Sequence, residues 1–131
     1  MLKRILSHIA VAVALLPAVA AMATDAGQIK VVNGPVTIER DGQKLPAVIG
    51  APIRQSDTLR TGAGASVGVT LLDNTVVSAG PNSVLVIERY AFNSTTHQGH
   101  FDAGLRRGTL SIVSGKLAKQ SPDAVRVITP T

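Results

Sequence analysis

Residues 57–83 contain three blocks: Asp57-Thr58-Leu59-Arg60-Thr61-Gly62, Ser66-Val67-Gly68-Val69-Thr70-Leu71-Leu72-Asp73-Asn74-Thr75, and Ala79-Gly80-Pro81-Asn82-Ser83. Short β-forming runs alternate there with turn residues, and the polar groups that stand out sit at the turns. Side chains of an extended backbone point alternately to its two faces. Val67, Val69 and Leu71 therefore share one face, with Ser66, Gly68, Thr70 and Leu72 on the other. Asp73-Asn74 turns the chain, and Thr75-Val76-Val77-Ser78 runs back. Gly62-Ala63-Gly64 and Gly80-Pro81-Asn82 are further breaks, because glycine supplies positive φ and proline fixes its own. This grammar predicts an all-β domain of short hairpin-linked strands.

The same grammar extends in both directions. Residues 28–32 form the first predicted strand and Asn33-Gly34-Pro35 a turn. Pro35 to Arg40 alternates strictly before Asp41-Gly42, a strong hairpin signal. The return strand, 43–48, contains Pro46 and is expected at a sheet edge, since proline cannot donate to a ladder. Residues 49–56 read as a loop. Residues 84–90 are apolar on both faces at their start and predict a central strand, with Val84, Val86 and Glu88 opposing Leu85, Ile87 and Arg89. Residues 91–104 read as one long polar insertion. Residues 105–113 predict a strand interrupted by Gly108, 116–120 are ambiguous, and 124–128 form the last strand. No segment beyond residue 23 shows a convincing 3.6-residue period. Strands at such spacing indicate a single small antiparallel sandwich or roll.

The N-terminus reads differently. Lys3 and Arg4 precede an apolar run from Ile5 to Val19, and Ala21-Met22-Ala23 fits the small-x-small cleavage rule. Residues 1–23 are expected to be a secretory signal peptide cut near Ala23, although the run is also about long enough for a membrane anchor. Losing Lys3 and Arg4 lowers the net charge from +5 to +3, so the whole-chain balance overstates how basic the exported protein is. Nucleic acid is a poor partner for an exported chain with dispersed charges, and three aromatic residues are too few for a stacking platform. The chain has no cysteine, so an apolar core must stabilise it alone, which fits a bacterial periplasmic or secreted setting.

Over residues 27–131 the chain resembles the FecR-type periplasmic domain. The resemblance rests on Gly34-Pro35-Val36, Asp57-Thr58-Leu59-Arg60-Thr61-Gly62 (with Ser56 where the family has glycine), Leu71-Leu72-Asp73-Asn74-Thr75, Gly80-Pro81-Asn82-Ser83, Arg107-Gly108-Thr109-Leu110 and Thr129-Pro130. It is carried by their order and spacing rather than by any single piece. The resemblance implies an exported β module that contacts proteins. The family's best-known members regulate a sigma factor through a cytoplasmic segment, and the four residues before the apolar run leave no room for one. Related domains continue past the Thr-Pro step into a strand with an Arg-Gly-Thr triplet. The domain is therefore expected to be C-terminally short, with residues 124–128 bordering an open sheet edge that a partner or second copy could fill by strand addition.

Catalytic readings are weak. Gly64-Ala65-Ser66-Val67-Gly68 matches a nucleophile elbow in text, but a strand follows Ser66 where the chemistry needs a helix. Asp57 and Asp73 read as turn-capping carboxylates rather than an acid/base pair. His97 and His100, with Asp102, are weak metal-ligand candidates in a loop without evident outer support. No cofactor is implied. Partner-contact candidates are Arg106 and Arg107 (grouped with Lys116 and Lys119), the aromatics Tyr90, Phe92 and Phe101, and the edge residues Val125 and Val127. The expected function is non-enzymatic protein–protein contact in cell-envelope sensing or assembly, with an envelope protein or a second copy as partner. The rival is a cell-wall or surface-polysaccharide binding module that uses Arg106, Arg107 and the loop aromatics.

Overall fold

The computed structural model describes residues 24–130; the expected signal peptide and Thr131 lie outside them. The strands are β1 (Asp25–Asn33), β2 (Val36–Arg40), β3 (Gln43–Pro46), β4 (Pro52–Arg54), β5 (Thr58–Thr61) and β6 (Ser66–Leu71). β7 (Val76–Ala79), β8 (Val84–Phe92), β9 (Gly99–Arg107) and β10 (Leu110–Val113) follow. Helix α1 (Lys116–Gln120), a 3-10 turn at Pro122–Ala124 and β11 (Val125–Ile128) close the described chain. Sheet one has the order β10-β7-β6-β1-β4 and sheet two the order β11-β9-β8-β5-β2-β3. Pairing is antiparallel except for β11, which lies parallel to β9. The all-β sandwich is as the sequence predicts, with one parallel pair added.

The core lies between the sheets. Ile29, Ile53, Val67, Val69, Leu71 and Val77 of sheet one meet Ile38, Leu59, Leu85, Ile87 and Phe101 of sheet two, each at most 2% exposed. β8 is central, between β9 and β5, and β3 with Pro46 is an edge, both as expected. The alternation along β8 breaks where the register shifts between Ile87 and Arg89. Leu85 and Ile87 point inward, and the next inward residue is Tyr90 rather than Arg89, because a bulge absorbs one position.

Most of the turn signals do not close hairpins. Asp41-Gly42 does, with φ of 51° and 75° that match the strand twist, and residues 72–75 join β6 to β7. The other breaks carry the chain from one sheet to the other. At one end of the sandwich four such corners meet: Gly34-Pro35, Gly62 to Ala65, Gly80 to Asn82, and Gly108-Thr109. The Gly62 N–H donates to Pro35 O at 2.9 Å and the Asn82 N–H to Gly62 O at 3.1 Å. The Thr61 hydroxyl donates to Gly80 O at 2.6 Å and accepts from the Ser83 N–H at 2.8 Å. The Ser83 hydroxyl accepts from the Thr109 N–H at 3.0 Å. Gly108, with φ of 92°, lies so close to Ser83 that a side chain there would overlap it.

Three expectations are corrected, and a segment left open is resolved. Residues 49–56 contain β4, because Ile53 fills the core and β4 pairs with β1. Residues 91–104 are not an insertion but the β8–β9 hairpin, whose connection is only 93–98. Residues 105–113 are two strands in different sheets, separated at Gly108. The ambiguous 116–120 segment is helical.

Candidate interaction surfaces

Two of the buried carboxylates, Asp73 and Asp57, are structural centres. Asp73 is 0% exposed. It accepts from the Tyr90 hydroxyl at 2.9 Å, the Thr75 hydroxyl at 2.6 Å and the Leu117 N–H at 3.0 Å. Its own N–H donates to the Tyr90 oxygen at 3.1 Å, and its carbonyl accepts from the Lys116 N–H at 2.8 Å. One residue therefore fastens the β6–β7 hairpin, β8 and the start of α1. Burial first, and then the Asp73 hydrogen bond, hold the Tyr90 phenol well above its ordinary range. Asp57 takes both Arg40 nitrogens, at 2.9 and 2.7 Å, and the Arg54 N–H at 2.8 Å. Its hydrogen bond keeps the Arg40 guanidinium charged more firmly, against the opposing pull of burial. Both aspartates cap turns, as expected, but each also holds partners distant in sequence, Arg40 for Asp57 and Tyr90 and Leu117 for Asp73.

Asp57 lines a small cleft with Asp41 and Ser56, but its carboxylate is taken up by Arg40 and the Arg54 N–H. The cleft between the β8–β9 connection and α1 holds about 430 Å³, and His97 is the only titratable group lining it. Ser66 begins β6 and its hydroxyl accepts from the Asn33 amide at 3.2 Å, so no nucleophile elbow forms. His97 stacks on Phe92 with ring centroids 5.9 Å apart. Asp102, proposed beside His97 and His100 as a third ligand, is held instead by Arg126 at 3.2 Å and Arg89 at 3.6 Å.

The contact residues expected from sequence separate into three groups. Tyr90 and Phe101 are core residues, 9% and 0% exposed, in an edge-to-face pair at 5.8 Å. They offer no surface to a partner, and Phe92 alone of the three aromatics stays half-buried beside the connection. Arg106 and Arg107 are exposed at the corner end of β9. Lys116 sits against Asp73 near the opposite end, roughly 25 Å away along the strand at about 3.3 Å per residue, so the expected basic group is split.

Val125 and Val127 lie on β11, which pairs with β9 on one side only among the described residues. Val125 tucks toward the core, whereas Val127 and Ile128 are 48% and 41% exposed. The rim strand is pinned through Arg126 to Asp102. Sequence reasoning missed that anchor because Asp102 was grouped with the histidines. The available signal was the alternation of His100, Asp102 and Gly104 on the face opposite Phe101.

A model of the family described as "FecR protein" matches residues 57–131, more than half of the chain. No curated protein matches it. A solved structure described as a cell surface anchoring domain is similar over 47% of this chain and 82% of its own length, with 32% identity and a TM-score of 0.45. Within the matched region, Thr61-Gly62, Gly80 to Ser83 and Gly108-Thr109 are the corner residues, so these motifs specify how the chain changes sheets.

Proposed function

This chain belongs to the FecR family, and from that premise we propose that it is an exported, non-enzymatic module that makes protein–protein contacts in envelope sensing or assembly. FecR-type domains are regulatory and sensing modules rather than enzymes, which supports the non-catalytic reading. Among the described residues no helix is long and apolar enough to cross a membrane.

The observation that carries the proposal is β11. Among the described residues its outer backbone groups have no strand neighbour, its exposed side chains include the apolar Val127 and Ile128, and Arg126 ties it to Asp102. Strand addition would use main-chain hydrogen bonds for affinity and the Val127 and Ile128 side chains for selectivity. The partner is an envelope protein, or a second copy meeting edge to edge.

The test is crosslinking in intact cells from a photoreactive residue at position 127, with one at position 42 in the β2–β3 turn as control. Recovery of one envelope protein, or of the chain itself, from position 127 alone supports the proposal. Recovery of cell-wall material only, or equal recovery from both positions, removes it. Hydrogen exchange gives an independent check, since slow exchange at all β11 amides of an unpartnered monomer contradicts an open edge.

A further inference from the structure

The outward faces of the two sheets differ in charge. On sheet two, strand register and side-chain contacts place Lys44, Arg60, Arg89, Arg106, Arg107 and Arg126 on the outer face, with Glu39, Glu88 and Asp102 among them. Six cations against three anions leave this face at +3. The outer face of sheet one is built from Val31, Ser66, Gly68, Thr70, Val76 and Ser78, with Lys30 and the balanced Asp25–Arg54 pair as its charges. The charge of the described chain is therefore concentrated on one side, although the cations come from five strands and look dispersed in sequence.

We propose that the outer face of sheet two binds an anionic polysaccharide, whose carboxylate, sulfate or phosphate groups are taken by the arginines. The guanidinium is planar and presents paired donors that match such oxyanions, whereas ammonium acts as a point charge. Four of the arginines are engaged internally, Arg60 with Glu39 at 2.5 Å, Arg106 with Glu88 at 2.6 Å, and Arg89 and Arg126 with Asp102. Their side chains nevertheless remain 47–64% exposed, which leaves donors facing solvent. Arg107 and Lys44 have no carboxylate partner within 4.0 Å among the described residues.

The layout favours a polymer with repeating charge. Arg107 and Arg60 flank Val84 in register, and Arg126 and Arg89 flank Asp102. In each case the two guanidinium-bearing strands are two strand spacings apart, about 9.5 Å. Two such pairs of cations at a similar spacing suit a chain with negative groups at similar intervals. A folded protein partner would need a buried aromatic or aliphatic anchor. Among the arginines the apolar residues are Val84, already buried, Val86, half-buried, and Ile128 at the rim, while Tyr90 and Phe101 face the core. A membrane surface would call for insertable side chains on the same face. Ile128, which shares the face of Arg126 at the rim, is its single strongly exposed aliphatic side chain among the described residues, too little to insert.

The inference is independent of strand addition at β11 and is tested with purified protein. Affinity electrophoresis would use gels containing polygalacturonate, heparin, polyglycerol phosphate or neutral dextran, alongside titrations with polyglutamate and phosphatidylglycerol vesicles. Retardation by at least one polyanionic glycan, none by dextran, and loss of binding with added salt are expected. Arg107→Gln and Lys44→Gln break no ion pair, and each should weaken binding about two- to fivefold, the range of an exposed charge contact. Lys30→Gln on the other sheet should leave it unchanged, with equal melting temperatures confirming the folds. The proposal is overturned by retention in dextran, by equal binding in the Arg107 and Lys44 variants, or by polyglutamate or vesicles binding as tightly as any glycan. The gel that retards the protein most identifies the oxyanion.

Discussion

Replacing Asp73 with alanine should be among the most damaging single changes in the folded protein, and its cost follows from the partners it leaves behind. The Tyr90 hydroxyl, the Thr75 hydroxyl and the Leu117 N–H would lose a shared acceptor, all in buried surroundings. Hydrogen bonds to a charged group contribute about 1.5–3 kcal/mol each, and an orphaned buried donor costs about 1–3 kcal/mol. Two of the three losses are softened. The Thr75 hydroxyl can rotate, and the Tyr90 oxygen still accepts from the residue-73 N–H. The Leu117 N–H has no such recourse, because it opens a helix with no side-chain cap of its own. The net expectation is about 4 kcal/mol, against about 5–15 kcal/mol for the whole domain. Urea unfolding followed by circular dichroism measures it, and Tyr90, the chain's single tyrosine in the absence of tryptophan, gives a second local signal. A cycle with Tyr90→Phe isolates one contact and should return a coupling of about 1–2 kcal/mol. A loss below about 1 kcal/mol for Asp73→Ala, or no coupling to Tyr90, would refute the account of Asp73 as a fastening centre.

Three further outcomes are expected. Arg40→Ala leaves Asp57, 1% exposed, as an uncompensated buried charge and should cost about 3–5 kcal/mol, whereas Arg106→Ala at the exposed Glu88 pair should cost less than about 1 kcal/mol; equal losses in urea melts would contradict the contrast. The Tyr90 phenol is raised in the folded state, so the unfolded chain releases this proton first, near pH 10. Its contribution to stability is complete below that pH and declines as pH rises further, and ultraviolet titration should show phenolate appearing only together with unfolding. A reversible titration near pH 10 in the folded protein would count against it. Finally, Gly108→Ala combines a φ of 92° with overlap at Ser83 and should cost at least about 2 kcal/mol, while Gly42→Ala in the open β2–β3 turn, where nothing crowds an added Cβ, should cost less in the same melt.

Features encoded locally were legible in the sequence. Asp41-Gly42 closes a hairpin because both residues accept positive φ, and Pro46 marks an edge because it cannot donate to a ladder. Features set by distant packing were not. The β8 bulge exists where Tyr90 turns inward to reach Asp73, so no alternation confined to residues 84–90 could reveal it. Helix α1 has five residues, too few for a period, and its N-terminal donor is satisfied by a carboxylate 44 positions away. The turns were found but their destination was not, since glycine and proline mark a reversal without saying whether the next strand stays in the same sheet. Among the candidate contacts, Val127 could be placed at a rim from its position in the strand order. Tyr90 and Phe101 could not be distinguished from surface aromatics without knowing the β8–β9 pairing that buries them.

The sandwich has two unlike poles. Four of the sheet-changing corners, with their threonine and serine stitching, gather at one end; the three hairpin connections and α1 gather at the other. A length change at a corner would displace three neighbouring chain segments at once. The connection 93–98 ends the longest hairpin and is linked mainly by hydrogen bonds within itself, Asn93 accepting from the Thr95, Thr96 and His97 N–H groups and donating its own N–H to Gln98 O. Extra residues there meet no stitched partner, which makes it the natural graft point for a reporter or an epitope. Variation and cargo can accumulate in that one connection, while Asp73 at the same pole and the stitched corners at the other keep the strands in order.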